Sequence, residues 1–155
     1  MHATMPLPQP IRWGIIGIGR FGRLHARAVQ SIFGLELVAI CNRNRERLDE
    51  AQADYAATLA TTDYHELLDD SSIDAISITT HWQDHYEVAA AALASGKHVL
   101  LEKPMAATSD ECRQLVELAQ ASPGKFMVGH ICRFDPRVTL AKQAIDEGRI
   151  GRIVS

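Results

Sequence analysis

The sequence predicts a doubly wound α/β domain, a parallel sheet covered by helices on both faces. Two observations predict it. Short apolar runs alternate with helix-type patterns, and the links between them are short. A glycine-rich turn, Gly17-Ile18-Gly19-Arg20-Phe21-Gly22, stands where the first apolar run gives way to the first helix. Alternation of this kind calls for right-handed crossovers, and therefore for parallel strands.

Residues 1–10 carry three prolines and no apolar core, and read as a flexible leader rather than a signal peptide. Ile11 to Ile16 predicts the first strand, and Arg20 to Ser31 the first helix. Leu35 to Ile40 predicts a second strand, followed by a polar helix from about Asn44 to Ala53. Asp63-Tyr64-His65-Glu66 has capping-box spacing and predicts a short helix through Leu68. Ala75 to Ile78 is of strand length. An Ala-rich helix from Gln83 to Ser95 is expected to stop at Gly96. His98 to Leu101 predicts another strand, with His98 as a satisfied core or ring-packing residue and Lys97 as a solvated turn residue. Thr108-Ser109-Asp110-Glu111 is a second capping box, and Cys112, Leu115, Val116 and Ala119 behind it predict one apolar helix face. Pro123-Gly124 breaks the chain before a strand at Phe126 to Gly129. A helix from Pro136 to Glu147 ends at Gly148, and Ile150 to Ser155 reads as the opening of a further strand. Residues 11–135 thus form the domain, and 136–155 a linking helix with the start of a second unit. Either the chain belongs to something longer, or that last strand pairs with another copy.

Composition narrows the function classes. Lys+Arg 16 against Asp+Glu 19 gives a formal net charge of −3, with no basic stripe for nucleic acid. Hydrophobic residues at 46 % and charged residues at 23 % are globular values, so disorder is not expected. No apolar run is long enough to predict a membrane helix. Cys41, Cys112 and Cys132 have no zinc-type spacing and predict no metal site. They read as reduced, mostly buried thiols of a cytoplasmic protein.

The glycine turn is the first site. In G-x-G-x-x-G, Gly17 permits the tight turn, Gly19 admits a pyrophosphate against bare backbone, and Gly22 lets helix and strand pack closely. The free N–H groups of Arg20, Phe21 and the rest of that first turn bind phosphate. The plain alternative is a purely structural turn. Dinucleotide domains hold the adenosine ribose with an acidic residue about 20 positions on. Here Asn42 occupies that place, with Arg43, Asn44 and Arg45 behind it. An amide removes the repulsion that a 2′-phosphate would meet, and Arg43 is placed to pair with that phosphate or to stack on the adenine. The expectation is NADP in preference to NAD, against a plain reading in which these arginines are a solvated helix start.

Three further strings carry a resemblance. They are Gly96-Lys97-His98-Val99-Leu100-Leu101-Glu102-Lys103-Pro104, Thr79-Thr80-His81-Trp82-Gln83-Asp84-His85, and Val128-Gly129-His130-Ile131-Cys132-Arg133-Phe134-Asp135-Pro136. Together with the glycine turn they resemble the nucleotide-binding Rossmann half of the Gfo/Idh/MocA oxidoreductases, from Ile11 to Ser155. The resemblance implies hydride transfer between NAD(P) and a hydroxyl carbon of a sugar, cyclitol or related substrate. It implies that Lys103 lies beside the nicotinamide and the substrate oxygen as a catalytic ammonium, which Glu102 holds in place. Thr79 and Thr80 would bind the cofactor, His81 and Trp82 would wall the nicotinamide, and His85 would lie near its ribose or serve as a helix-start residue. Arg133 and Phe134 match a pair leading to a domain boundary and read as structural first, with Arg133 as a substrate-side contact in the alternative. The sequence departs from the family at His81, where proline is usual, and at Trp82, where a small polar residue is usual. In the family a second domain supplies an Asp and a His, the histidine acting as acid/base, and Ile150 to Ser155 resembles its first strand. The chain alone is therefore expected to bind cofactor but turn over poorly. The competing class is a stand-alone nucleotide-sensing or interaction module that dimerises through its C-terminal strand. A methyltransferase, which also uses a glycine-rich turn, is disfavoured by Arg20, Phe21 and the Glu-Lys-Pro string.

Overall fold

Residues 9–154 are described by the computed structural model, and six short strands among them form one parallel sheet. They are β1 Ile11–Ile16, β2 Leu35–Cys41, β3 Leu59–Thr61, β4 Ala75–Ile78, β5 His98–Leu101 and β6 Phe126–Val128, in the spatial order β3-β2-β1-β4-β5-β6. The central strands are near-continuous apolar runs because helices cover both of their faces. Ile15, Ile40, Ile76 and Ile78 are fully buried. Helices α1 Arg20–Ser31 and α2 Arg45–Tyr55 pack on one face, where Ala26, Val29, Leu48 and Ala51 close over Ile15 and Ile40. Helices α3 His65–Asp69, α4 His85–Ala94 and α5 Ser109–Ala121 cover the other, around Leu67, Val88, Leu93 and Leu115. Chain order reverses between β1 and β4, the place where such sheets open a crevice at their carboxyl ends.

Several elements depart from the sequence reading. β3 was not anticipated, because no glycine or proline break sets its three residues apart as Pro123-Gly124 does for β6. The first capping box does not form. The Glu66 carboxylate takes the Thr61 hydroxyl at 2.7 Å, and the Asp63 N–H turns to Thr61 Oγ1 at 3.0 Å. The second forms fully, with Thr108 Oγ1 accepting from Glu111 N–H and Glu111 bonding back to the Thr108 N–H. The Ala-rich helix begins at His85, after a 3-10 turn over Trp82–Asp84. On α5 only Leu115 is fully buried, and Val116 lies on the open side. Lys97 is buried rather than solvated, its ammonium donating to Asp70 O at 2.6 Å. His98 is exposed rather than core, although its Nδ1 accepts the Lys125 N–H at 2.9 Å. Of the three thiols Cys41 is buried, Cys112 half-buried and Cys132 exposed.

The tail corrects a further expectation. Helix α6, Pro136–Asp146, forms as predicted, capped by Asp135, yet buries none of its residues. Residues 150–154 form no strand and lie exposed. The leader at 1–8 and Ser155 lie outside the described residues. Among the described residues no helix is long and apolar enough to cross a membrane.

Candidate active site

The site is built where β1, β2, β4 and β5 end. Each loop base is tied to its neighbouring strand: Gly17 N–H donates to Cys41 O at 2.8 Å, Thr79 N–H to Ile16 O at 2.9 Å, and Glu102 N–H to Ile78 O at 2.9 Å. These bonds set the loops after β1, β2 and β4 around one cleft of about 390 Å³, with the loop after β5 beside it, a size suited to a small-molecule site.

The glycines do what their spacing predicts. Gly17 has φ +95°, and a Cβ there would stand 2.7 Å from the Thr79 and Thr80 backbone. A Cβ at Gly22 would run into Gly17 O, so only glycine lets α1 start this close to β1. Gly19 faces open space. Helix α1 has no side-chain cap and no carboxylate in its first turn. Its first internal bond runs from Arg23 N–H to Gly19 O, which leaves the earlier N–H groups of the turn for a ligand. Thr79 Oγ1 donates to Gly17 O at 2.5 Å and clamps the turn. Thr80 Oγ1 is buried with no partner and lines the same cleft. A buried hydroxyl without a hydrogen bond is costly, so this atom awaits a ligand group. The residues present fit a dinucleotide phosphate.

Around that cradle the cleft brings together Gly17, Gly19, Asn42, Arg43, Thr79, Thr80 and His81. The Asn42 amide donates to Asn44 O at 3.0 Å, fixing the turn into α2. Arg43 reaches across the rim to Asp84 at 2.6 Å. His81 leans on Trp82, with ring centroids 5.6 Å apart, but Trp82 itself does not line the cleft. Arg20 points outward and is exposed. His85 is fully buried, its Nδ1 2.6 Å from Pro104 O and its Nε2 3.3 Å from Thr80 O. It lies between α4 and the loops that carry Thr80 and Lys103.

Glu102, Lys103 and Phe21 stand apart from this cleft. Glu102 is buried, and its Oε2 accepts the backbone N–H of Lys103 at 3.1 Å rather than the ammonium. Lys103 Nζ lies 5.8 Å from the centre of the Phe21 ring. Glu102 and Phe21 border a second, largely apolar hollow of about 370 Å³ with Trp13, Leu24, His25 and Leu100. Arg133 and Phe134 lie in an exposed 3-10 turn, Ile131–Phe134. Sequence reasoning missed Arg47, Tyr64, Asp84 and Glu87 on the cleft wall, and His25 behind it. Asp84 and Glu87 belong to a segment already noticed for His85. Nothing in the pattern of α1 marks His25.

Sheet order, glycine turn and phosphate cradle together define a dinucleotide-binding domain. The comparisons with known proteins agree. The model of the GFO_IDH_MocA family, described as an oxidoreductase family with an NAD-binding Rossmann fold, matches residues 11–130, and the chain belongs to this family. The inositol 2-dehydrogenase of Salmonella typhimurium strain LT2 is 36 % identical over 146 residues, which are 92 % of this chain and 43 % of the relative. Among solved structures, scyllo-inositol dehydrogenase from Lactobacillus casei with bound NAD(H) and scyllo-inositol superposes with a TM-score of 0.86 at 31 % identity, over 94 % of this chain and 43 % of that one. The WlbA dehydrogenase from Bordetella pertussis in complex with NADH and UDP-GlcNAcA gives 0.87 at 32 %, over 94 % and 45 %. The chain thus spans less than half the length of the relatives it matches.

Proposed function

We propose that this chain is the cofactor-binding half of a dehydrogenase that passes a hydride between a nicotinamide dinucleotide and a hydroxyl carbon of a cyclitol, sugar or related compound. The observation that carries the proposal is the phosphate cradle: an uncapped α1, an open Gly19 and the unpartnered Thr80 hydroxyl, all at one cleft. When bound, the dinucleotide supplies the hydride-carrying ring. Gly17, Gly19 and Gly22 with the amides of Arg20 and Phe21 bind its pyrophosphate. Asn42 and Arg43 take the adenosine ribose, and Thr79, Thr80, His81 and Trp82 border the path of the nicotinamide half. Lys103 presents an ammonium that no carboxylate engages among the described residues. A fixed cation of this kind stabilises an oxygen on which negative charge develops. Relatives named as inositol dehydrogenases support a cyclitol as substrate.

The nucleotide preference turns on Arg43. Asn42 and Arg43 support NADP ahead of NAD, yet a 2′-phosphate must compete with Asp84 for the Arg43 guanidinium. Residues 11–135 act as the cofactor unit, and 136–155 lead into a further domain. The exposed Val138, Leu140, Ile150 and Ile153 support that division, since apolar side chains in such a row need a cover. The same reading has the protein working in the cytoplasm, with a second copy of the whole enzyme as an expected partner.

Thermal unfolding with NADP⁺, NAD⁺ and S-adenosylmethionine in parallel tests this. Ligand at about 100 times its dissociation constant adds about 2.7 kcal/mol of stability. Both nicotinamides are expected to raise Tm, NADP⁺ more, and S-adenosylmethionine not at all. No rise with either nicotinamide overturns the proposal. A larger rise with NAD⁺ overturns the NADP preference alone.

A further inference from the structure

We propose that His25, on the helix that follows the glycine turn, is a positioning residue for Lys103 and acts through Glu102. Four hydrogen bonds form a relay across the sheet. Trp13 Nε1–H donates to Ser77 Oγ at 3.0 Å, and Ser77 Oγ lies 3.0 Å from His25 Nδ1. His25 Nε2 lies 3.2 Å from Glu102 Oε1, and Glu102 Oε2 accepts the Lys103 N–H at 3.1 Å. The relay therefore joins β1, β4 and α1 to the loop after β5.

Its polarity follows from donor chemistry. An indole N–H only donates, so it fills a lone pair of Ser77, and the Ser77 hydroxyl is free to donate to Nδ1. The hydrogen of a neutral imidazole then sits on Nε2 and points at the carboxylate. Every member is satisfied in this arrangement and in no arrangement that turns the imidazole over.

Glu102 is what makes the relay matter. Its side chain is only 9 % exposed, and no Lys or Arg pairs with it among the described residues. A carboxylate so placed depends on its hydrogen-bond donors. His25 holds one oxygen, which aims the other at the Lys103 amide. This fixes the main chain from which the ammonium rises over Phe21. Take away His25, and Oε1 loses its donor in an apolar hollow. The carboxylate then turns outward, and the Lys103 backbone loses its tether.

The inference rests on the cofactor reading only for what Lys103 faces, so two readouts on the whole 155-residue chain keep the two apart. One is the Lys103 amide resonance in ¹H–¹⁵N spectra without ligand. The other is the ratio of NADH to ADP-ribose affinity, since ADP-ribose lacks the nicotinamide. In His25→Leu the Lys103 amide is expected to move upfield, NADH to bind about tenfold more weakly, and ADP-ribose to stay within twofold. Lys103→Ala is expected to give a similar NADH loss, and the double variant no further loss, as for residues that act as one unit. An unmoved Lys103 amide, equal losses for NADH and ADP-ribose, or additive losses in the double variant overturn the proposal. Native chain that binds neither compound overturns the cofactor reading, and the amide resonance alone then decides the relay. Should His25→Leu fail to fold, Glu102→Leu, which removes both acceptor oxygens, carries the same readouts with the same expected and overturning results.

Discussion

Cys41 ends β2 with its thiol packed between the sheet and α3. Burial pushes that thiol up to about 12, and the carboxylates of Asp63 and Glu66 push the same way. An unfolded thiol ionises near its ordinary 9.0 while the native one keeps its proton. The stability this group contributes is therefore fully present below pH 9.0 and is lost as pH rises toward about 12. Urea midpoints between pH 8.5 and 11 are expected to fall more steeply for the native chain than for Cys41→Ala. Parallel slopes would remove Cys41 as the cause. Other residues show the limit of reading positions one at a time. Lys97 follows a glycine and looks solvated in the sequence, yet its ammonium finds the Asp70 carbonyl, 27 residues away in the chain. Arg43 looks free, yet Asp84 meets it from across the sheet. Neither partner has a local signal, because the first pairing exists only once β4 lies beside β5 and the second only once β1 lies between β2 and β4.

At the scale of elements, two stretches with the same capping spacing behave differently. Thr108 opens the thirteen-residue α5 and bonds reciprocally with Glu111. Removing its hydroxyl in Thr108→Ala is expected to cost about 1 kcal/mol, read from the urea midpoint. A loss below a few tenths would mean the helix end is held by packing alone. Around Asp63 the helix has only five residues, and Thr61 at the end of β3 competes for both partners of the box. A motif three residues apart reports what a chain can do locally, and a nearby hydroxyl from another element overrules it. Length explains what was legible. Helix α1 and the four strands β1, β2, β4 and β5 carry enough periodic residues to be read directly, and with them came the glycine turn and the Glu102-Lys103 corner. β3 and the 3-10 turn at Trp82–Asp84 are three residues each with no break before them, whereas Pro123-Gly124 announces the equally short β6. Tyr64 and Glu87 lie in segments the sequence did mark, but their place on the cleft wall follows from strand order, which no local pattern carries.

For the whole molecule the main asymmetry lies between the two faces of the sheet. Three helices seal one face. On the other, α1 and α2 cover β1 to β3 but leave a hollow against Leu100, Ser77 and Glu102, with Phe33 and Met127 exposed nearby. The described residues beyond β6 bury almost nothing. A chain ending after residue 135 is therefore expected to keep its unfolding free energy within about 1 kcal/mol of the full chain, measured in urea. A loss of several kcal/mol would show that α6 holds the domain together. The relay beneath that hollow also has an optical consequence. The sequence contains two tryptophans; Trp13 starts the relay, and Trp82 stands in the turn beside His81. Both indoles belong to the domain that would hold a reduced nicotinamide, and that ring absorbs where tryptophan emits. The protein thus carries its own fluorescence gauge: titration with NADH should quench the ultraviolet emission and raise the blue, with no dye attached and no substrate known.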